Sequence, residues 1–331
     1  MKKRQLGGAG PWVGAIGLGC MSFGGTFGAT DTTHSLRCLS LALEQGIDFW
    51  DTANIYGMGV SESVIGQFLT QATPQTRAKV KLATKASIVT GPARRFDNSA
   101  PYLRAELLAS MQRLRVDYVD LFYIHRREVE RPIEEVAGVM ADFIREGLIG
   151  GYGLSEVSPG TLRRAHRVHP CMAVQNEYSL WSRQPELGLI QACLELGVAF
   201  VPFSPLARGV FGQSDSNPTT PEEADFRRNL PRFTEPDWSL NRVAIAPFRA
   251  YCAQQGWAVS AAALAWVLDQ GPHLIPIPGT RYGTHVQEWT QAFDIAITPA
   301  VRADFARLLP VGFAYGDRYN LEMASTVERY C

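Results

Sequence analysis

Four residues of this 331-residue chain have the types and spacing for proton chemistry: Asp51, Tyr56, Lys85 and His125. A phenol ordinarily titrates at about pH 10, so it is a weak acid at neutrality. An ammonium beside it favours the phenolate, and a carboxylate behind the ammonium holds that charge in place. Bringing the phenol to neutrality asks for about 4 kcal/mol of differential stabilisation. A phenol tuned in this way protonates a carbonyl oxygen or deprotonates an alcohol. A histidine next to it orients the carbonyl or relays the proton. Taken singly, Asp51 and Lys85 also suit a structural ion pair, Tyr56 suits loop packing, and Lys85 suits a Schiff-base lyase. Together, the four types suit one job.

Each of the four lies at the end of a short apolar run or in the loop after one. The runs span 15–20, 47–51, 79–85, 119–125, 149–155, 172–178, 198–204 and 274–279. They carry little alternation, as expected of strands buried on both faces of a parallel sheet. Helix-period segments separate them: Leu36, Leu39 and Leu43; Leu103, Leu107, Met111 and Leu114; Ile133, Val136, Met140 and Phe143. Pro101, Pro132 and Pro159 take first-turn positions, the last behind Ser158 as cap. Gly46, Gly147 and Gly197 follow three helices, where a left-handed terminating residue is wanted. Eight such units predict a closed (β/α)8 TIM barrel, with active-site residues at the carboxyl ends of the strands. The competing open doubly wound sheet lacks its GxGxxG turn. RQLGGAGPWVG reads as an N-terminal β-hairpin plugging the bottom. The polar stretch 208–238, with Arg227 and Arg228, reads equally as a lid loop on the cofactor side or as a plain solvated loop.

With 46% hydrophobic and 19% charged residues, the chain is neither disordered nor fibrous. Its length allows two domains, but no linker divides it, so one domain over 1–331 is expected. Lys+Arg and Asp+Glu are both 32, which argues against a nucleic-acid or anionic-membrane partner. Cys20, Cys38, Cys171, Cys193, Cys252 and Cys331 form no CxxC pair, so no metal site is expected, and the thiols are expected reduced and mostly buried. No signal-like or membrane-length apolar run occurs, so a cytoplasmic protein is expected.

The blocks FWDTANIYGMGVSESVIG, KLATK, DLFYIHR, IGGYGLSE, AVQNEYSLWSR, FVPFSPLARG and IPIPGTR, in that order, resemble the aldo-keto reductase family over nearly the whole chain. DFRRNLPRF and GDRY resemble its bacterial and fungal branch. The resemblance implies a (β/α)8 barrel and the tetrad Asp51, Tyr56, Lys85 and His125. Tyr56 is then the proton donor, Lys85 lowers its pKa with Asp51 behind, and His125 positions the carbonyl. It implies NADPH as cofactor and a small-molecule carbonyl as substrate. Ser155 and Gln175 would bond the nicotinamide carboxamide, and Phe203 would support the ring. Ser204, Pro205, Leu206, Arg208 and Gly209 would pass under the pyrophosphate. Gly279, Thr280 and Arg281 would open the last helix, where N–H groups favour phosphate. Arg281 would take the 2′-phosphate, with His285 and Glu288 completing the cofactor contacts. The chain departs from the family at Glu156, where an Asn is usual, at Tyr282 after Arg281, and at Trp289 after Glu288. Asn176 replaces the Ser of several relatives and is left out of the set. From their types alone, Met21, Phe23, Phe27, Tyr56 and Ile88 suit either an apolar mouth for aromatic or aliphatic aldehydes or ordinary loop packing. The rival functions are a nucleotide-binding redox sensor and the Lys85 lyase.

Overall fold

The computed structural model describes residues 1–91, 95–212 and 225–330. Seven of the apolar runs form parallel strands: β1 (Leu18–Gly19), β2 (Phe49–Asp51), β3 (Lys81–Ala86), β4 (Leu121–Ile124), β5 (Tyr152–Ser155), β6 (Ala173–Gln175) and β7 (Ala199–Phe200). They pair in chain order. The eighth run, 274–279, closes the cylinder. Ile275 and Ile277 donate to the carbonyls of Phe200 and Pro202 at 2.8 and 3.0 Å. Pro276 and Pro278 lack N–H groups, but their carbonyls accept from Gly17 and Gly19 at 2.9 Å each. The prolines are tolerated because only their acceptors face β1.

Alternation along the strands sorts the side chains. Trp50, Phe122 and Leu154 point outward into the layer between sheet and helices. Phe49, Ala83, Leu121, Tyr123, Ala173, Val201 and Ile275 fill the interior. A fully buried side chain of the size of Phe49 contributes roughly 1.5–3 kcal/mol. Gly153 leaves room in this interior layer, since a Cβ there would lie 2.4 Å from the Tyr123 ring. Asp51, Lys85, Ser155 and Gln175 share the inward parity and sit at the strands' carboxyl ends.

The N-terminal hairpin pairs Lys3–Gln5 with Trp12–Gly14. Leu6 and Val13 join the interior cluster from below. Arg4 donates to the carbonyls of Leu268, Gly271 and Leu274, fastening the hairpin beneath the eighth run. The helices Thr32–Glu44, Ala100–Leu114, Ile133–Arg145 and Pro159–Val168 carry the apolar faces expected of them. Ser158 Oγ accepts from the Thr161 N–H at 3.3 Å, so it caps as expected. Pro101 is the second helical residue, and Pro132 is itself the cap before Ile133. Gly46, Gly147 and Gly197 adopt φ of +80°, +76° and +65°, ending their helices.

Of the segment 208–238, residues 213–224 lie outside the described residues. Its described second half is not a bare loop. Short turns at Phe226–Asn229 and Pro231–Phe233 lead into a helix from Asp237 to Gln254. Phe27 and Asp225 form an antiparallel bridge, and the Phe226 N–H donates to Thr26 O at 3.0 Å. The segment thereby crosses to the loop after β1. Cys20, Cys38, Cys171, Cys193 and Cys252 are buried and free. Among the described residues, no helix is long and apolar enough to cross a membrane.

Candidate active site

Four strand ends bring the expected residues together. Asp51 closes β2, and Lys85 sits near the end of β3. The Lys85 ammonium donates to Asp51 Oδ1, to Thr52 O at 2.8 Å and to Tyr56 Oη at 3.4 Å. The other Asp51 oxygen accepts from Gln175 Nε2 at 2.8 Å. A continuous hydrogen-bonded line therefore runs from β6 through Asp51 and Lys85 to the phenol. Lys85 and Asp51 are shut off from solvent, while Tyr56 is partly exposed at the mouth.

The loop after β2 holds Tyr56 by its backbone. Its N–H donates to Ala53 O at 3.1 Å, and its carbonyl accepts from Ser61 at 3.2 Å. Gly57, at φ +60°, touches the Gly24 backbone; a Cβ on either glycine would lie within 2.7 Å of the other's loop. These two glycines let the β1 and β2 loops press together and fix the phenol.

His125 follows β4, 7% exposed, with its ring edge-on to Tyr56 at 5.8 Å between centroids. Burial, then the charges of Arg126 and Lys85, hold its pKa well below the usual value, so the imidazole is neutral. Nδ1 is buried without a partner. A bare lone pair there costs less than an orphaned N–H, which favours the proton on Nε2.

Burial lowers Lys85, but Asp51 and Tyr56 outweigh it and hold the ammonium above its usual pKa. Burial raises the Asp51 carboxyl, with Lys85 and Gln175 opposing. Tyr56 corrects a sequence expectation. Burial raises the phenol above its ordinary value, and the Lys85 charge only partly offsets this. In the protein as it stands, the phenol is therefore held protonated at neutrality rather than tuned towards it.

The expected cofactor residues fall into three groups. Ser155 closes β5, and its Oγ accepts from Arg126 Nη1 at 3.2 Å; the same nitrogen donates to His125 O at 2.7 Å. Phe203 bridges to Glu177 and Ile277 at the top of the β7 side, half-buried. The loop that follows contains three non-glycine residues in left-handed backbone: Ser204 (φ +50°), Ala207 (+49°) and Arg208 (+55°), with Gly209 at +97°. Such conformations cost of order 1–3 kcal/mol each and cluster at ligand sites. Pro205 and Leu206 lie between, both buried.

The Arg208 side chain is engaged within the protein. Its guanidinium donates to Glu177 at 2.8 Å and Tyr319 Oη at 3.2 Å. Its charge is neutralised there, so the loop offers backbone rather than that side chain. Gly279 abuts Gly19 where the barrel closes. Thr280 Oγ1 pairs with His285 Nδ1 at 2.9 Å. Arg281 donates to Phe27 O and Gly28 O at 3.0 and 3.3 Å, and its buried Nε has no partner. The helix begins at Gly283, two residues beyond Arg281. Glu288 is buried and accepts from Ser260, and Trp289 packs in the core. Phe23 also belongs to the core rather than the mouth; Met21, Phe27 and Ile88 remain partly exposed. Among the described residues, no group of three or more His, Cys, Asp or Glu is placed to hold a metal ion.

Residues absent from the sequence reading complete the site. Thr52 supplies the third Lys85 contact, and Arg126 links His125 to Ser155. The C-terminal tail returns over the barrel's top: Arg318 grips Glu156 with two bonds, at 2.9 and 2.6 Å. Arg126 could be found from its place beside His125; the tail had no local signal beyond GDRY.

Comparison with known proteins agrees with this geometry. The model of the aldo/keto reductase family matches residues 15–309. A probable aldo-keto reductase of Glycine max is 34% identical over 318 residues, covering 95% of this chain and 91% of that protein. Among solved structures, a glycerol dehydrogenase from Gluconobacter oxydans is 27% identical, with a TM-score of 0.82 over 93% of this chain and 94% of its own. A Klebsiella pneumoniae aldo/keto reductase in complex with NADP and acetate is 24% identical, with a TM-score of 0.75 over 97% and 99%. By fold, strand-end residues and family match, the chain belongs to the aldo/keto reductase family and is an oxidoreductase acting on carbonyl and alcohol groups.

Proposed function

We propose that this protein reduces aldehydes and ketones to alcohols, reversibly, with NADPH as cofactor and Tyr56 as proton donor. The observation that carries the reading is the line Gln175–Asp51–Lys85–Tyr56 with neutral His125 edge-on to the phenol.

The residues present fit a dinucleotide. The strained 204–209 backbone suits a pyrophosphate, and the unpartnered Nε of Arg281 suits a 2′-phosphate. His285, through Thr280, supports that end; the side chains of Arg208 and Glu288 are engaged within the protein. Ser155 accepts from Arg126, so its hydroxyl proton is free to donate to a carboxamide, and Gln175 stands opposite it at the neighbouring strand end. Phe203 offers a ring face. The similar Klebsiella pneumoniae enzyme is in complex with NADP, which supports the choice. When bound, the reduced nicotinamide supplies the hydride.

This chain's residues do the rest. His125 holds the carbonyl oxygen through Nε2–H. Tyr56 gives that oxygen its proton. Lys85 stabilises the phenolate left behind, and Asp51, Thr52 and Gln175 keep the ammonium from swinging away. The same residues run backwards for alcohol oxidation. Met21, Phe27 and Ile88 give the mouth an apolar wall suited to aliphatic or aromatic carbonyls. The whole chain works as one domain, and Asp225 and Phe226, bridged to the β1 loop, give the cofactor side a cover. A Schiff-base role for Lys85 needs a neutral amine, which the Asp51 contact opposes. A pure nucleotide sensor has no use for the line of four.

The test is Tyr56→Phe. Turnover of a carbonyl panel with NADPH falls about 10²- to 10⁴-fold, while NADPH binding by fluorescence titration is unchanged. Near-normal turnover overturns the assignment of the donor.

A further inference from the structure

We propose that Arg318, in the C-terminal tail, is a positioning residue for the nicotinamide half of the cofactor seat, acting through Glu156, Glu177 and Arg208. The proposal rests on the cofactor reading above.

Glu156 immediately follows Ser155 at the end of β5. It is buried and held in left-handed backbone at φ +55°, a region costly for a residue with a side chain. Hydrogen bonds to three neighbours keep it there. Its N–H donates to Gln175 O at 3.1 Å, its Oε1 accepts from the Glu177 N–H at 2.9 Å, and Arg318 grips both carboxylate oxygens. The turn that presents Ser155 and the strand end that presents Gln175 are thus tied to each other by one carboxylate.

Glu177 carries the chain further. Its Oε2 lies 3.6 Å from Arg318 and accepts from Arg208 at 2.8 Å, while Ser182 donates to its Oε1 at 2.9 Å. Arg208 belongs to the left-handed loop 204–209. Two carboxylates and two guanidiniums therefore alternate, nearly out of solvent, from the carboxamide side of the seat to the pyrophosphate loop. Burial lowers Arg318, yet Glu156 and Glu177 outweigh it and keep the guanidinium charged. The tail is fastened independently, with Tyr330 Oη accepting from Asn176 Nδ2 at 2.6 Å and the Glu328 N–H donating to Glu156 O at 3.1 Å.

Removing Arg318 leaves the buried Glu156 carboxylate without its hydrogen-bonded cation and Glu177 with Arg208 as its bonded one. The strained turn and loop then lose the contacts that oppose their relaxation. The Arg281 end of the seat has none of these contacts. A positioning role therefore differs from a purely structural one in where binding is lost.

The experiment measures two affinities by calorimetry for wild type, Arg318→Met, Arg318→Lys and Glu156→Gln, with a melting temperature for each. One probe is NADPH. The other is 2′,5′-ADP, which takes the Arg281 end, carries one of the two backbone phosphates and lacks the nicotinamide half. Arg318→Met is expected to weaken NADPH about tenfold or more while 2′,5′-ADP stays within about twofold. Arg318→Lys, with charge but no fork, recovers part of the loss. Equal loss of both probes, or unchanged NADPH affinity in a folded variant, overturns the proposal. If Arg318→Met does not fold, Glu156→Gln decides by the same selective loss or its absence. A wild type that holds 2′,5′-ADP but not NADPH overturns the cofactor reading as well.

Discussion

Replacing Lys85 by Met tests the electrostatic core of the mechanism. The change removes an ammonium 3.4 Å from Tyr56 Oη and keeps a side chain of similar bulk. At an effective dielectric constant of about 20, a unit charge at that distance stabilises the phenolate by about 5 kcal/mol. That corresponds to about three and a half pH units of acidity. Burial already raises Tyr56, and Lys85 opposes it, so the variant is left with burial and the Asp51 charge both acting upward. Alcohol oxidation requires the phenolate, so its rising pH limb moves to higher pH. At about pH 9, kcat/KM for oxidation falls about a thousandfold. Carbonyl reduction uses the protonated phenol, whose population at neutrality does not change, so its pH profile keeps its shape near neutrality. The assay is kcat/KM for alcohol oxidation with NADP⁺ from about pH 6 to about pH 10, beside a thermal melt. Asp51 keeps only Gln175 in the variant, and the unpaired buried carboxylate costs about 3–5 kcal/mol of stability. A folded Lys85→Met enzyme whose oxidation limb stays at the wild-type pH refutes the reasoning.

Three further outcomes are expected. Arg281→Ala weakens NADPH about 10- to 100-fold more than NADH, because a charge-assisted bond to the 2′-phosphate is lost while the hold on Phe27 and Gly28 is lost for both; equal losses by titration defeat the 2′-phosphate assignment. Burial raises the Glu156 carboxyl, but Arg318 outweighs it and holds the folded value below the usual carboxylate range, so Glu156 adds stability above its unfolded pKa and loses it as pH falls through the folded one. Urea midpoints of wild type and Glu156→Gln should therefore converge on going from neutrality to about pH 3, and parallel curves contradict this. Gly153→Ala places a Cβ 2.4 Å from the Tyr123 ring and 2.9 Å from Ala173 O, which costs about 1–3 kcal/mol by thermal or chemical denaturation; wild-type stability means that Tyr123 has room to move.

Much of the scaffold was legible because its signals are local. Helix starts at Ser158 and ends at Gly46, Gly147 and Gly197 follow from backbone chemistry within a few residues, and the structure bears them out. The strand runs were placed correctly but read too long. Regular ladder is confined to Ala199–Phe200 of 198–204: Pro202 has no N–H to offer the eighth run, although Val201 and Phe203 still donate to Val174 O and Asn176 O. The types at strand ends suggested a tetrad, and the register of β2 with β3 brings it together, Asp51 opposite Ala83 with Lys85 two residues higher. Of the two readings open for Phe23, mouth or packing, the structure takes packing; a sequence does not say which face of a loop meets the core.

The sequence by itself determined the order and kind of the elements, the place of Asp51, Lys85, Ser155 and Gln175 at strand ends, and the family resemblance that the comparisons bear out. Those depend on periodicity and on residue types a few positions apart. Tertiary structure alone decided which groups touch. Gln175 reaches Asp51 across 124 residues and Arg318 reaches Glu156 across 162. It also decided that burial outweighs the ammonium at Tyr56 and that Glu177 neutralises Arg208. Solvation and Coulomb energy depend on distance in space, and chain folding sets that distance only when the barrel closes.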